Sequence, residues 1–423
     1  MKKFWCLLLI VLLLAGCATE PDAPIAVASP TAAAPSFATD APSAEPVTPA
    51  PTAVPTERPT PEPTPKPTLS PEQRLMNYID GMSDAEKIGQ LCMFGFSGTE
   101  TISAEFKTIL QDYHIGCVIL YGQNMVRTNK DGGFAQCRRL TDSVRSASGS
   151  EIPLLISTDV EGGSVTRFHW SKSLLSAQSL GKKDDEHVAR EQFRYIAEGL
   201  TRAGINVDLA PCLDVAKDPA ATFLKKRIIS SDRDVASRIG VACIEGLHDG
   251  GVLSIVKHFP GHGATNADSH DKTPVVEKSL ESLERYELVP FAEASGAADG
   301  VMVAHILYPA VDDERIASQS ETFITEILRG ELGFAGFVMS DDFRMAGLRK
   351  QISPKNGAVQ FILAGGDLIL CGANHTYQRQ ILEGLTEAVA DGTISRERLN
   401  ESVFRILSAK MKVTGWDPFE NED

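Results

Sequence analysis

The sequence predicts an α/β protein, a TIM-like (β/α)8 barrel, and three observations carry that expectation. Eight short apolar runs are separated by spacers of helix length. Polar and ionisable residues collect directly after those runs, where a barrel opens the C-terminal ends of its strands to substrate. The composition also breaks sharply near residue 70, which confines the repeating pattern to one continuous segment.

Residues 71–87 are polar and amphipathic and read as helix. The strand candidates are then 90–96, 117–121, 153–157, 207–210, 252–256, 301–304, 336–339 and 367–370. Asn124 follows the second run, Asp159 and Glu161 the third, and Asp214 the fourth. Lys257 and His258 follow the fifth, His305 the sixth, and Asp341 with Asp342 the seventh. Any one of these fits an ordinary helix cap. Their recurrence at successive runs points instead to an active-site face. Residues 378–410 close the pattern with two amphipathic helices.

Composition bounds the rest. A chain of 423 residues, 43% hydrophobic, can bury a sizeable core. Its net charge of −15, with no long basic run, argues against nucleic acid as a partner. Met1, Lys2 and Lys3 make a positive start, and residues 4–14 are apolar. Together they read as an export signal, too short for a stable membrane span. Residues 14–17, LAGC, resemble the lipobox of bacterial lipoproteins, which implies a signal over 1–17 and a lipid-bearing Cys17 on the outer face of a membrane. Ordinary secretion with a nearby cleavage site is the alternative. Residues 18–70 are rich in Pro, Ala and Thr, and more than half of the chain's 24 prolines lie between Pro21 and Pro71. No core can form from such a segment, so it is expected to be a spacer. At ~3.1 Å per residue in polyproline form it could reach on the order of 100 Å, enough to hold a domain of residues 71–423 out into a cell wall. Cys92, Cys117, Cys137, Cys212, Cys243 and Cys371 show no C-x-x-C pairing and sit mostly in apolar runs, so buried free thiols are expected.

The richest stretch is 257–270, KHFPGHGATNADSH, directly after the fifth apolar run. Pro260, Gly261 and Gly263 open a loop that carries Asp268 and His270, two residues apart. In an extended segment the two side chains share a side, close enough for the carboxylate to hold the imidazole. His258, His262 and His270 could instead be metal ligands, but they lack the i, i+4 spacing of a zinc-binding helix, and no metal or cofactor is expected.

This stretch resembles the signature of family 3 glycoside hydrolases of the β-N-acetylglucosaminidase type, which commonly has Asp where this chain has Ala264. Residues 82–91, MSDAEKIGQL, resemble the opening of that family's catalytic domain, and 399–407, LNESVFRIL, its barrel closure. Some members carry a second α/β domain after the barrel. The few residues after Lys410 leave no room for it, so a single catalytic domain is expected.

The resemblance implies roles residue by residue. Residues 336–345, GFVMSDDFRM, match the nucleophile segment, which makes Asp341 the attacking carboxylate, with Asp342 as the second candidate. His270 is implied as acid/base, oriented by Asp268. Residues 158–168, TDVEGGSVTRF, match the family pattern except at Ser164, which implies Asp159 and Arg167 as sugar contacts. Lys257 and His258 are implied likewise, as is Arg227 in the divergent segment 225–232, KKRIISSD. The implied activity is release of terminal GlcNAc from β-glycosides by a monomer acting on small carbohydrates or wall glycan. A phosphorylase, or an inactive sugar-binding lipoprotein, is the alternative.

Overall fold

The computed structural model describes residues 69–419 apart from 129 and 266. Cys17, the expected export signal and nearly all of the expected spacer lie outside the described residues. Eight strands, β1 (Cys92–Gly95), β2 (Cys117–Ile119), β3 (Leu155–Thr158), β4 (Val207–Asp208), β5 (Leu253–Phe259), β6 (Gly300–Val303), β7 (Phe337–Ser340) and β8 (Ile369–Cys371), form one parallel sheet. The order runs from β7 down to β1 and then β8. A parallel bridge between Met339 and Leu368 joins the two ends, with Ser340 N–H donating to the Leu368 carbonyl at 3.0 Å. The sheet is a closed barrel, as the eight apolar runs predict. Every strand residue is buried, which is why the runs are continuously apolar and do not alternate.

Two elements differ from the sequence reading. The segment 71–87 is broken into helices Pro71–Gly81 and Asp84–Gln90. Ser83 takes the Glu86 amide on its hydroxyl while the Glu86 carboxylate reaches back to the Ser83 amide, and this reciprocal cap starts a new helix. The fifth strand runs on to Phe259, so Lys257 and His258 lie inside β5, not after it. All six cysteines are buried and free, as expected. Among the described residues no helix is long and apolar enough to cross a membrane.

Inside the barrel, Ile119, Leu209, Met302 and Leu370 come from β2, the end of β4, β6 and β8. Four side chains from alternate strands make one layer of a filled barrel interior. This layer is the uppermost, and the pocket described next rests on it. At the other end Asp367 gathers Arg398 (3.3 Å), Arg405 (3.1 Å), Arg329 (2.5 Å) and Ser402 (2.7 Å), tying the last helix, Arg396–Thr414, to the start of β8.

Candidate active site

A pocket of about 340 Å³ opens at the C-terminal ends of the strands. That volume is at the low end for small-molecule sites. Its floor is the apolar layer of Ile119, Leu209, Met302 and Leu370, and its walls are mostly polar, with Val165, Phe223 and Met345 adding apolar surface.

One wall is a buried ion-pair lattice. Lys257 Nζ, from β5, donates to Asp159 Oδ1 at 2.8 Å and lies 2.7 Å from Glu161 Oε1. Arg167 completes Asp159 at 2.8 Å, and Arg227 grips Glu161 through Nε and Nη2, both at 2.8 Å. Burial alone would push these carboxyls up, but the flanking cations win. They bring Glu161 down to about 2 and hold Asp159 well below the usual carboxylate range. Burial likewise works against the Lys257 ammonium, yet Asp159 and Glu161 raise its pKa. The lattice is therefore ionised at neutral pH and presents fixed donors and acceptors to the pocket. Arg167 reaches it from a left-handed backbone (φ 51), sparsely populated by non-glycine residues. The residues 162–163 that precede it are glycines in the same region.

His258 stands beside this wall. Its Nδ1 is 2.6 Å from Asp214 Oδ2, and its Nε2 is 3.3 Å from Arg227 Nη2. Asp214 also accepts the amides of His258 and His262 and the Cys212 thiol at 3.1 Å. Ligand atoms of Cys212, Asp214 and His258 lie within 4.8 Å of one another, spacing that a metal could use. Asp214 already accepts hydrogen bonds from both partners, which accounts for their closeness. This trio is not the set of three histidines that the sequence offered as ligands.

Asp341 follows β7 and lines the pocket. Its Oδ1 accepts the Asp342 amide at 2.8 Å. Burial opposes ionisation, but His258 and His305 face the carboxylate and hold its pKa below the ordinary value. Asp342 is differently placed. It accepts the Tyr121 hydroxyl at 2.9 Å, the Gly372 amide at 3.2 Å and the Arg344 amide at 3.0 Å, and it takes the Arg344 guanidinium on both oxygens. Asp342 is a structural clamp; Asp341 is the carboxylate left available to the pocket.

His270 also lines the pocket, at its rim. Its Nδ1 is 2.7 Å from Asp268 Oδ1, which also accepts the His270 amide at 2.9 Å. The pairing foreseen from the sequence is present, but its cause is different. Residues 269–270 turn, and Asp268 caps that turn; the segment is not extended. With Nδ1–H held by Asp268, Nε2 is the nitrogen free to carry a proton. The preceding loop needs its glycines: a Cβ at Gly263 would run into the Val215 carbonyl, and Gly261 sits at φ 135 against Glu287.

The structure thus gathers Asp341, His270 with Asp268 behind it, Asp159, Arg167, Arg227, Lys257 and His258 at one pocket. Asn124 does not join them; its amide ties down the Phe96 and Gly98 carbonyls. Glu161, Asp214 and His305 were visible as strand-end residues; the structure pairs Glu161 with Lys257 and Arg227 and Asp214 with His258, whereas His305 Nδ1 lies 2.7 Å from Ser318 Oγ, away from the pocket lining. Tyr121 and Arg344, which brace Asp342, carry no spacing signal that could have found them.

The profile of the Glycosyl hydrolase family 3 N terminal domain matches residues 84–409. A Beta-hexosaminidase A from Pseudoalteromonas piscicida is 32% identical over 340 residues, covering 74% of this chain and 56% of the relative. A Beta-hexosaminidase from Idiomarina loihiensis is 33% identical over 297 residues, covering 69% and 86%. Among solved structures, a glycoside hydrolase family 3 beta-N-acetylglucosaminidase from Paenibacillus superposes with a TM-score of 0.75 at 36% identity, over 79% of this chain and 63% of that one. A Beta-N-acetylhexosaminidase from Beutenbergia cavernae gives 0.70 at 27% identity, over 78% and 98%.

Proposed function

The chain belongs to glycosyl hydrolase family 3, and from that premise we propose that it is an exo-acting β-N-acetylglucosaminidase working through a covalent glycosyl–aspartate. One observation carries the reading: Asp341 and the Asp268-braced His270 open onto the same small pocket as the ionised lattice around Lys257. A pocket floored by packed side chains accepts a chain end and not a chain middle, which favours release of a terminal sugar. The names of the relatives, hexosaminidases and acetylglucosaminidases, support GlcNAc as that sugar.

The placement supports a two-step chemistry. Asp341 attacks the anomeric carbon as the bond to the leaving oxygen breaks, and His270 Nε2–H gives that oxygen its proton. Water then cleaves the glycosyl ester, His270 taking back a proton and Asp341 leaving as carboxylate. Asp268 holds the imidazole in one tautomer and stabilises its charged form. On this reading the substrates are GlcNAc-terminated wall glycans, muropeptides or chitooligosaccharides. The lipobox-like LAGC ending at Cys17 supports a lipid anchor on the extracytoplasmic face, with residues 18–70 as tether.

Product analysis on a chromogenic β-N-acetylglucosaminide, with and without phosphate, tests the activity. Free GlcNAc under both conditions is expected. GlcNAc-1-phosphate in phosphate buffer would make the protein a phosphorylase, and no turnover would leave a sugar-binding protein.

A further inference from the structure

We propose that His262 is a positioning residue for the proton donor: acting through Ser269, it fixes the loop that carries Asp268 and His270. The inference rests on His270 being the acid/base.

Ser269 lies between two exposed residues. The His270 and Asp268 side chains are 68% and 39% exposed, whereas Ser269 and His262 are each 1% exposed. The loop therefore displays its reactive pair around one buried anchor. His262 Nε2 meets that anchor at 2.9 Å from Ser269 Oγ.

His262 is itself immobilised. Its amide donates to Asp214, and its ring stands edge-on to Phe223 with centroids 4.5 Å apart. Burial, followed by the His258 charge, lowers its pKa to about 4, so the ring is neutral at working pH. Its Nδ1 finds no hydrogen-bond partner among the described residues. The Ser269 hydroxyl is thus the ring's polar side-chain contact there, and loop and ring fix each other.

The main chain of the loop is held from the opposite side. The Gly347 amide donates to the Ser269 carbonyl at 2.9 Å and the Ala346 amide to the His270 carbonyl at 3.4 Å. Thr273 Oγ1 donates to the Gly347 carbonyl at 2.8 Å. Ala346 and Gly347 begin the short helix Ala346–Arg349 that follows Asp341. Ser269 is gripped by its side chain from the turn that follows β5 and by its backbone from the segment that carries the nucleophile. Its position sets where the proton donor stands relative to Asp341.

The experiment compares kcat/KM, which reports the glycosylation step, on an unactivated GlcNAc disaccharide and an activated dinitrophenyl glycoside. Losing one buried hydrogen bond should cost Ser269→Ala roughly fivefold to tenfold on the disaccharide and little on the aryl substrate. The same substitution added to His270→Ala should cost nothing more. His262→Gln, whose amide can still reach Ser269, should retain more disaccharide activity than His262→Phe. Equal losses on both substrates, or a further loss on top of His270→Ala, would mean these residues serve the sugar or the fold, and would overturn the proposal. Failure of the acid/base reading is seen separately, in the His270→Ala single variant, as a loss that does not depend on the leaving group.

Discussion

The Asp342 amide donates to Asp341 Oδ1 at 2.8 Å, while the Asp342 carboxylate is occupied by Tyr121, Arg344 and Gly372. Two adjacent aspartates are thereby given different work. Asp341→Ala should abolish turnover with the melting temperature nearly unchanged. Asp342→Ala strands a half-exposed Arg344 charge, a half-buried Tyr121 hydroxyl and the buried Gly372 amide, so it should destabilise the fold by roughly 1–3 kcal/mol. A fluoro-sugar inactivator followed by peptide mapping should label Asp341; a label on Asp342 would reverse the assignment.

His270→Ala should lower kcat/KM on poor leaving groups by about 10²–10⁴-fold, the usual range for general acid catalysis, and far less on activated aryl glycosides. Asp268→Asn should be milder, because the turn survives while the ion pair and the enforced tautomer are lost. A leaving-group series on each variant makes the measurement.

The Lys257 lattice makes a pH-dependent prediction. Glu161 falls to about 2 when folded, from an ordinary 4.5, so it binds fewer protons in the native state. Its stabilisation is complete above pH 4.5 and is lost as pH falls through about 2. Lys257→Met leaves Asp159 and Glu161 buried with fewer cations, which should cost about 3–5 kcal/mol at pH 7. Denaturant unfolding of both proteins between pH 7 and pH 2 should show that difference shrinking as the acids protonate. A difference independent of pH would mean that lost packing, not charge, is responsible.

Cys17→Ser should release active protein from the membrane fraction of expressing cells. Unchanged processing and fractionation would remove the lipid anchor from the account.

The barrel was legible because each strand is buried on both faces, and β-branched runs such as 252–256 advertise that locally. Strand ends were less so. Lys257 and His258 look like the start of a loop, since a charge inside a buried strand is normally prohibitive. What licenses them are Asp159 and Asp214, 98 and 44 residues away, which no local pattern can display. Asp268 and His270 were paired for a reason the structure replaces, an Asp-capped turn in place of an extended segment. The Asp342 clamp and the metal-like spacing of Cys212, Asp214 and His258 exist only once distant segments meet, and the His262–Ser269 contact depends on how the loop turns between them.

The pocket floor has a consequence for how this protein could change. Ile119, Leu209, Met302 and Leu370 form the top layer of the barrel interior and at the same time set the pocket's depth. Trimming Leu370 to Ala to admit a bulkier sugar would remove core atoms at a typical 2–5 kcal/mol, and enlarging Ile119 would crowd the barrel as it shallows the pocket. Sugar choice at the floor and resistance to unfolding therefore depend on the same four side chains. Less packing is at stake at the rim, where the His270 side chain stands in solvent while Ser269 beneath it keeps the loop anchored.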